Sequence, residues 1–135
     1  MDVWQAFREH CTRLHILGLF VVLLIAFYLR ASSLAFGLPS LNDQDELVFQ
    51  MGAVRLLTTP TLNPKWFGHP GTTTIYGLAL VDIGTYLFGH LVGWWHNAKG
   101  FVDAFFANPT LVILPGRAMI LTFGLWVVAL TYRLG

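Results

Sequence analysis

Apolar and polar residues fall in long blocks along this chain rather than in short periods. Residues 14–29 hold no Asp, Glu, Lys or Arg, and neither do residues 118–132. A helix needs about 20 residues to cross roughly 30 Å of hydrocarbon, so the first block must continue past Arg30. The arginine stem can snorkel to the headgroups while the apolar run extends to about Phe36. The pattern predicts one span over residues 14–36 and another over residues 111–134. Between them, residues 43–57 read as a short helix with Leu47, Met51 and Val54 at i, i+4 and i+7 on an apolar face. Asn42 or Asp43 can cap it, and Asp45 and Glu46 stand near the position of a capping partner. A helix this short beside a membrane is expected to lie along the interface. Residues 58–71 are punctuated by Pro60, Pro64, Gly68, Pro70 and Gly71, with Trp66 as an interfacial anchor. Residues 94–108 read as an interfacial loop.

Residues 71–95 are ambiguous. They are long enough to cross, yet they hold Asp82 and five glycines. An aspartate at mid-bilayer costs roughly 2.5–3.5 kcal/mol on insertion scales. The alternatives are a third span and a partly embedded juxtamembrane hairpin. Gly89 and Gly93, four apart, would allow close helix contact in either case. With two spans, Arg133 ends on the side of Arg8 and Arg13, which the positive-inside rule favours.

Composition turns this pattern into a class. The chain is 56% hydrophobic and 11% charged, against about 25% charged in soluble domains. The expected fold is all-α and integral to a membrane, with two transmembrane helices, or three. They are joined by a long extracytoplasmic loop, residues 37–110, that carries juxtamembrane amphipathic helices. Residues 1–13 form a cytoplasmic head. A cleavable signal peptide is the rival, with a small-residue site at Ser33 and Ala35. The abrupt end after an apolar run suggests the N-terminal part of a longer polytopic protein, whose remaining helices would be packing partners. Net charge is +1 and the eight basic residues are scattered, so nucleic acid is not an expected partner. Cys11 is the only cysteine, which excludes an internal disulfide.

Candidate chemistry gathers at Asn42-Asp43-Gln44-Asp45-Glu46, where three of the seven carboxylates sit together. Asp45 and Glu46 are either capping acids that favour the helix dipole or a general base with its acidic neighbour. Asp43 and Asp45 also have a spacing suited to a hard divalent cation. No other cofactor is indicated. His69 is a solvated loop histidine or a donor to a phosphate oxygen. Arg117, at the start of the last span, either snorkels or contacts a lipid phosphate, for which a planar guanidinium is well shaped. Asp82 is expected to pair with a cation such as Lys99 or Arg117, with substrate binding as the alternative. His90 and His96 lack metal-ligand partners at useful spacing.

The order of these features resembles the N-terminal region of GT-C type glycosyltransferases that use polyprenyl-phosphate sugars. The nearest groups are the protein O-mannosyltransferase-like and aminoarabinose-transferase-like membrane enzymes. Three stretches carry the resemblance: Pro39-Ser40-Leu41-Asn42-Asp43-Gln44-Asp45-Glu46, then Leu62-Asn63-Pro64-Lys65-Trp66-Phe67-Gly68-His69-Pro70, then Gly116-Arg117-Ala118. It implies that Asp45 is the catalytic aspartate, Glu46 its acidic neighbour and Arg117 the arginine that opens the second span. His69 stands where some members carry lysine. Gly68 stands where some carry a metal-holding glutamate, so that metal site does not transfer. The implied topology has two spans, with residues 71–95 juxtamembrane. The implied setting is the inner cell membrane, multi-pass, with a cytoplasmic N-terminus and the acidic loop outside. The implied reaction moves a sugar from a polyprenyl-phosphate donor to an acceptor hydroxyl, with membrane lipid as surroundings and the acceptor unspecified. The alternative is a non-catalytic small membrane subunit packed against a larger partner.

Overall fold

Long uncharged runs become long helices here, and the two short amphipathic stretches become short ones. The computed structural model describes residues 3–59, 61–65 and 71–134, with backbone only for residues 3–12. They form five helices and no strand: α1 (Val3–Ala31), α2 (Gln44–Thr58), α3 (Thr72–Val92), α4 (Ala98–Ala107) and α5 (Thr110–Leu134). Three are long and apolar enough to cross a membrane: α1 over Arg13–Ala31, α3, and α5.

The boundaries differ from expectation at both ends of α1. The helix starts at Val3, inside the supposed polar head, where no glycine or proline interrupts the turn pattern. It stops at Ala31 rather than near Phe36, and residues 32–40 run on as turns. The Ser32 and Ser33 hydroxyls bond back to the carbonyls of Leu29 and Arg30. Such local bonds compete with helix continuation.

The chain falls into two compact units, Met1–Ser33 with Ile120–Gly135, and Leu34–Met119. In the first, the Tyr132 hydroxyl donates to the His15 carbonyl at 2.7 Å. Arg30 folds Nη1 back onto the Ala26 carbonyl at 3.2 Å. Its Nε lies 3.2 Å from where a Cβ on Gly124 would stand, so the missing side chain gives the guanidinium its room.

The second unit has two apolar cores. One joins Ala53 and Leu56 of α2 to Ile75, Leu78 and Ala79 of α3. A Cβ on Gly52 would lie 3.1 Å from Ile75, so glycine lets these two helices approach closely. The other packs Trp95, Phe101 and Phe105 against Val112 and Ile113 of α5. Trp95 turns back over Gly89, and its indole N–H donates to the Tyr86 carbonyl at 2.8 Å. Gly89 thus receives a ring from its own segment rather than a neighbouring helix. Gly93 instead ends α3 in the left-handed region at φ 85°. The Trp94 N–H then reaches the Gly89 carbonyl at 2.7 Å, as in a glycine-terminated helix.

One expectation about this unit is corrected. Residues 94–108 are not a loop throughout: Asn97 caps α4, its side chain accepting the Gly100 N–H at 2.7 Å. Phe101 and Phe105, at i and i+4, then bury one face of that helix. On α2, Leu47 and Met51 are exposed, while Gln50, Ala53 and Val54 are buried. The helix is turned about its axis relative to its apolar pattern, for a reason found in its polar contacts.

Candidate functional site

The acidic stretch folds as a helix start. Asp43 has extended backbone, φ −100° and ψ 112°, and its side chain accepts the Asp45 N–H at 3.0 Å. That satisfies one of the orphan donors of the first turn. Asp45 and Glu46 follow within that turn, at the positive end of the helix dipole.

The three acids then part ways. Glu46 meets Arg117 side-on: Nε donates to Oε1 at 2.6 Å and Nη2 to Oε2 at 2.7 Å. This bidentate fork is the strong geometry for an arginine–carboxylate pair. The remaining terminal nitrogen, Nη1, donates to the carbonyls of Leu34 at 2.6 Å and Phe36 at 2.7 Å. Arg117 therefore spends four of its five N–H groups on protein. One side chain of α5 fastens the start of α2 to the turns that follow α1. The Asp45 carboxylate points outward, exposed, with no hydrogen bond or ion pair among the described residues.

A second polar pair lies deeper. Gln50, one turn beyond Glu46 on the same face, donates Nε2 to both oxygens of Asp82, at 2.9 and 2.8 Å. Both residues are withdrawn from solvent, Gln50 at 1% and Asp82 at 0% exposure. Asp82 thus pairs with an amide, not with Lys99 or Arg117. Glu46 and Gln50 together turn α2: two polar anchors, each with a partner on another helix, hold one face inward and leave Leu47 and Met51 outside. Gly116 lies at this junction, where a Cβ would stand 2.7 Å from Leu78 and 3.8 Å from the Gln50 amide oxygen.

Of the residues singled out in the sequence, the structure brings Glu46 and Arg117 into contact and sets Asp45 beside them in the chain. His69, with Trp66 and Pro70, lies outside the described residues. Asp43, half of the suggested cation pair, has one oxygen engaged in capping. Among the described residues no three His, Cys, Asp or Glu side chains converge. His90 is held at the end of α3, its Nδ1 3.1 Å from the Trp95 carbonyl and its ring stacked on Tyr86. An apolar groove of about 470 Å³, lined by Val81, Phe88, Trp94, Leu111 and Leu114, holds Thr85 as its one hydroxyl. That hydroxyl is bonded to the Val81 carbonyl. Gln50 is the residue that sequence reasoning missed. Its only signal was an amide four residues after Glu46.

No family model, curated protein or solved structure matches this chain.

Proposed function

We propose that this chain forms part of a membrane glycosyltransferase, in which Asp45 is the general base. One observation carries the proposal: of the three neighbouring acids, only Asp45 keeps a carboxylate with no hydrogen bond or ion pair among the described residues, on a helix start held by other side chains. Asp43 is occupied in capping and Glu46 in pairing with Arg117. An exposed, unpartnered carboxylate on an anchored helix start suits proton removal from an incoming hydroxyl.

In this reading α1 runs outward from a cytoplasmic N-terminus, and the acidic helix start lies at the extracytoplasmic rim of the inner membrane. The acceptor oxygen attacks the anomeric carbon of a polyprenyl-phosphate sugar, and Asp45 takes its proton. The bond between that carbon and the phosphate oxygen breaks, and the polyprenyl phosphate leaves with the bonding electrons. Glu46 and Arg117 hold the helix start. The positive charge of Arg117 is already matched by Glu46, so it meets the leaving phosphate as half of a neutral pair.

The test uses full-length protein in membrane vesicles, supplied with radiolabelled polyprenyl-phosphate sugars. Asp45→Asn is expected to lower transfer by about 10²–10⁴-fold, the range of general-base catalysis, with insertion unchanged. Undiminished transfer by that variant removes Asp45 from the chemistry. Absence of transfer by the unsubstituted protein with every donor leaves the non-catalytic subunit as the better description.

A further inference from the structure

Arg30 is a cation in an apolar helix with no anion beside it. It lies in the last turn of α1, within the stretch Arg13–Ala31 that is apolar enough to cross a membrane. It stands 16 residues after Leu14, where the uncharged run begins, which is about 24 Å of helix. If α1 crosses, a hydrocarbon layer of roughly 30 Å that starts at Leu14 ends beyond Arg30. The side chain does not reach outward to make up the difference. Nη1 folds back onto the Ala26 carbonyl at 3.2 Å, and the guanidinium lies against Gly124, inside the uncharged run of α5. A charge at this depth calls for a partner. Among the described residues the only ion pair is that of Glu46 with Arg117.

The two arginines differ in what their side-on edge meets. Arg117 gives Nε and Nη2 to the two oxygens of a carboxylate. In Arg30 the same edge has no acceptor among the described residues, since Nη1 alone is bound. That edge is the one suited to two oxygens of a carboxylate or a phosphate at once. Gly124 leaves it room, for a Cβ there would stand 3.2 Å from Nε. The surface on either side in the chain is apolar and open: Phe27, Tyr28 and Leu29 of α1 and Phe123 and Val127 of α5 are all exposed.

We infer that Arg30 binds the phosphate of an anionic bilayer phospholipid, with two phosphate oxygens on Nε and Nη2 beside Gly124. Three observations favour a lipid phosphate. Arg30 is in the last turn of a helix long and apolar enough to cross, within reach of a headgroup. The residues around it are uncharged and exposed, so a ligand comes from the bilayer rather than from water. The free edge is positive and two-pronged, and it complements an anion that offers two oxygens. The bond from Nη1 to Ala26 holds the guanidinium in one direction, unlike a side chain that snorkels freely. The inference is independent of the glycosyl-transfer proposal and is tested without any sugar donor.

The experiment measures the lipid retained by the full-length protein, by native mass spectrometry in detergent, with phosphatidylglycerol or phosphatidylcholine added. The unsubstituted protein is expected to retain phosphatidylglycerol in preference. Arg30→Gln is expected to weaken that binding by about 10- to 100-fold, the scale of hydrogen bonds to a charged group. Arg30→Lys keeps the charge without the fork and is expected to weaken it less. Gly124→Val keeps the arginine and fills the space beside Nε, and is also expected to weaken it. Equal retention of the two lipids by the unsubstituted protein overturns the inference without reference to any variant. Undiminished retention of phosphatidylglycerol by Arg30→Gln or by Gly124→Val overturns it as well. Displacement of the lipid by an equal concentration of inorganic phosphate would make this a site for free phosphate, and overturns the lipid assignment.

Discussion

Gln50 Nε2 donates to both carboxylate oxygens of Asp82, joining α2 to α3 where neither residue reaches solvent. Removing one partner is therefore worse than changing the other. Gln50→Ala leaves a buried carboxylate without its donor and is expected to cost about 1–3 kcal/mol. Asp82→Asn keeps an acceptor for the amide and is expected to cost less. Thermal unfolding of the two variants in detergent checks the order, and a larger loss for Asp82→Asn contradicts it.

Arg117 makes two kinds of contact, with a carboxylate and with two carbonyls, and substitution can separate them. Arg117→Ala removes both and is expected to cost about 1–3 kcal/mol. Glu46→Gln leaves the bonds to Leu34 and Phe36 in place and is expected to cost less. Arg117→Lys keeps the charge but loses the planar fork, and should fall between the two. Equal unfolding midpoints for Arg117→Ala and Glu46→Gln would mean that the carbonyl contacts contribute nothing.

Asp43 and Asp45 are two residues apart and should respond in opposite ways. Asp43→Ala removes the cap and is expected to cost about 0.5–2 kcal/mol. Asp45→Asn touches no partner among the described residues and should leave the unfolding midpoint where it is. A drop in stability for Asp45→Asn equal to that for Asp43→Ala would make Asp45 a structural acid.

The glycines of α3 divide by what surrounds them. A Cβ on Gly89 would run into the Trp95 ring, whereas one on Gly84 would meet nothing within 4 Å. Gly89→Ala is expected to cost about 1–3 kcal/mol through overpacking. Gly84→Ala should be neutral, or stabilising by up to about 1 kcal/mol through helix propensity. Unfolding monitored by tryptophan fluorescence distinguishes them, because Trp95 itself reports on the first.

What the sequence allowed to be read was local. The uncharged runs marked the long apolar part of α1 and α5, and the acids at 43–46 marked the start of α2 to within a residue. α4 was missed because it is short and its exposed face carries Lys99 and Asp103. Asn97 followed by Phe101 and Phe105 was the available signal. The partnerships were not legible. Glu46 and Arg117 are 71 residues apart, and Gln50 and Asp82 are 32 apart. Helical periodicity says which residues share a face and nothing about which distant side chain will meet it. The turn of α2 that exposes Leu47 and Met51 follows from those pairings, which an apolar pattern read in isolation does not contain.

The 71-residue separation of Glu46 and Arg117 also sets an order of events during synthesis. The acidic start of α2 leaves the ribosome well before the arginine that secures it, and the Leu34 and Phe36 carbonyls wait for the same late arrival. A nascent chain halted anywhere before residue 117 lacks this fastening, so this corner of the molecule acquires its final arrangement only after α5 has begun to emerge.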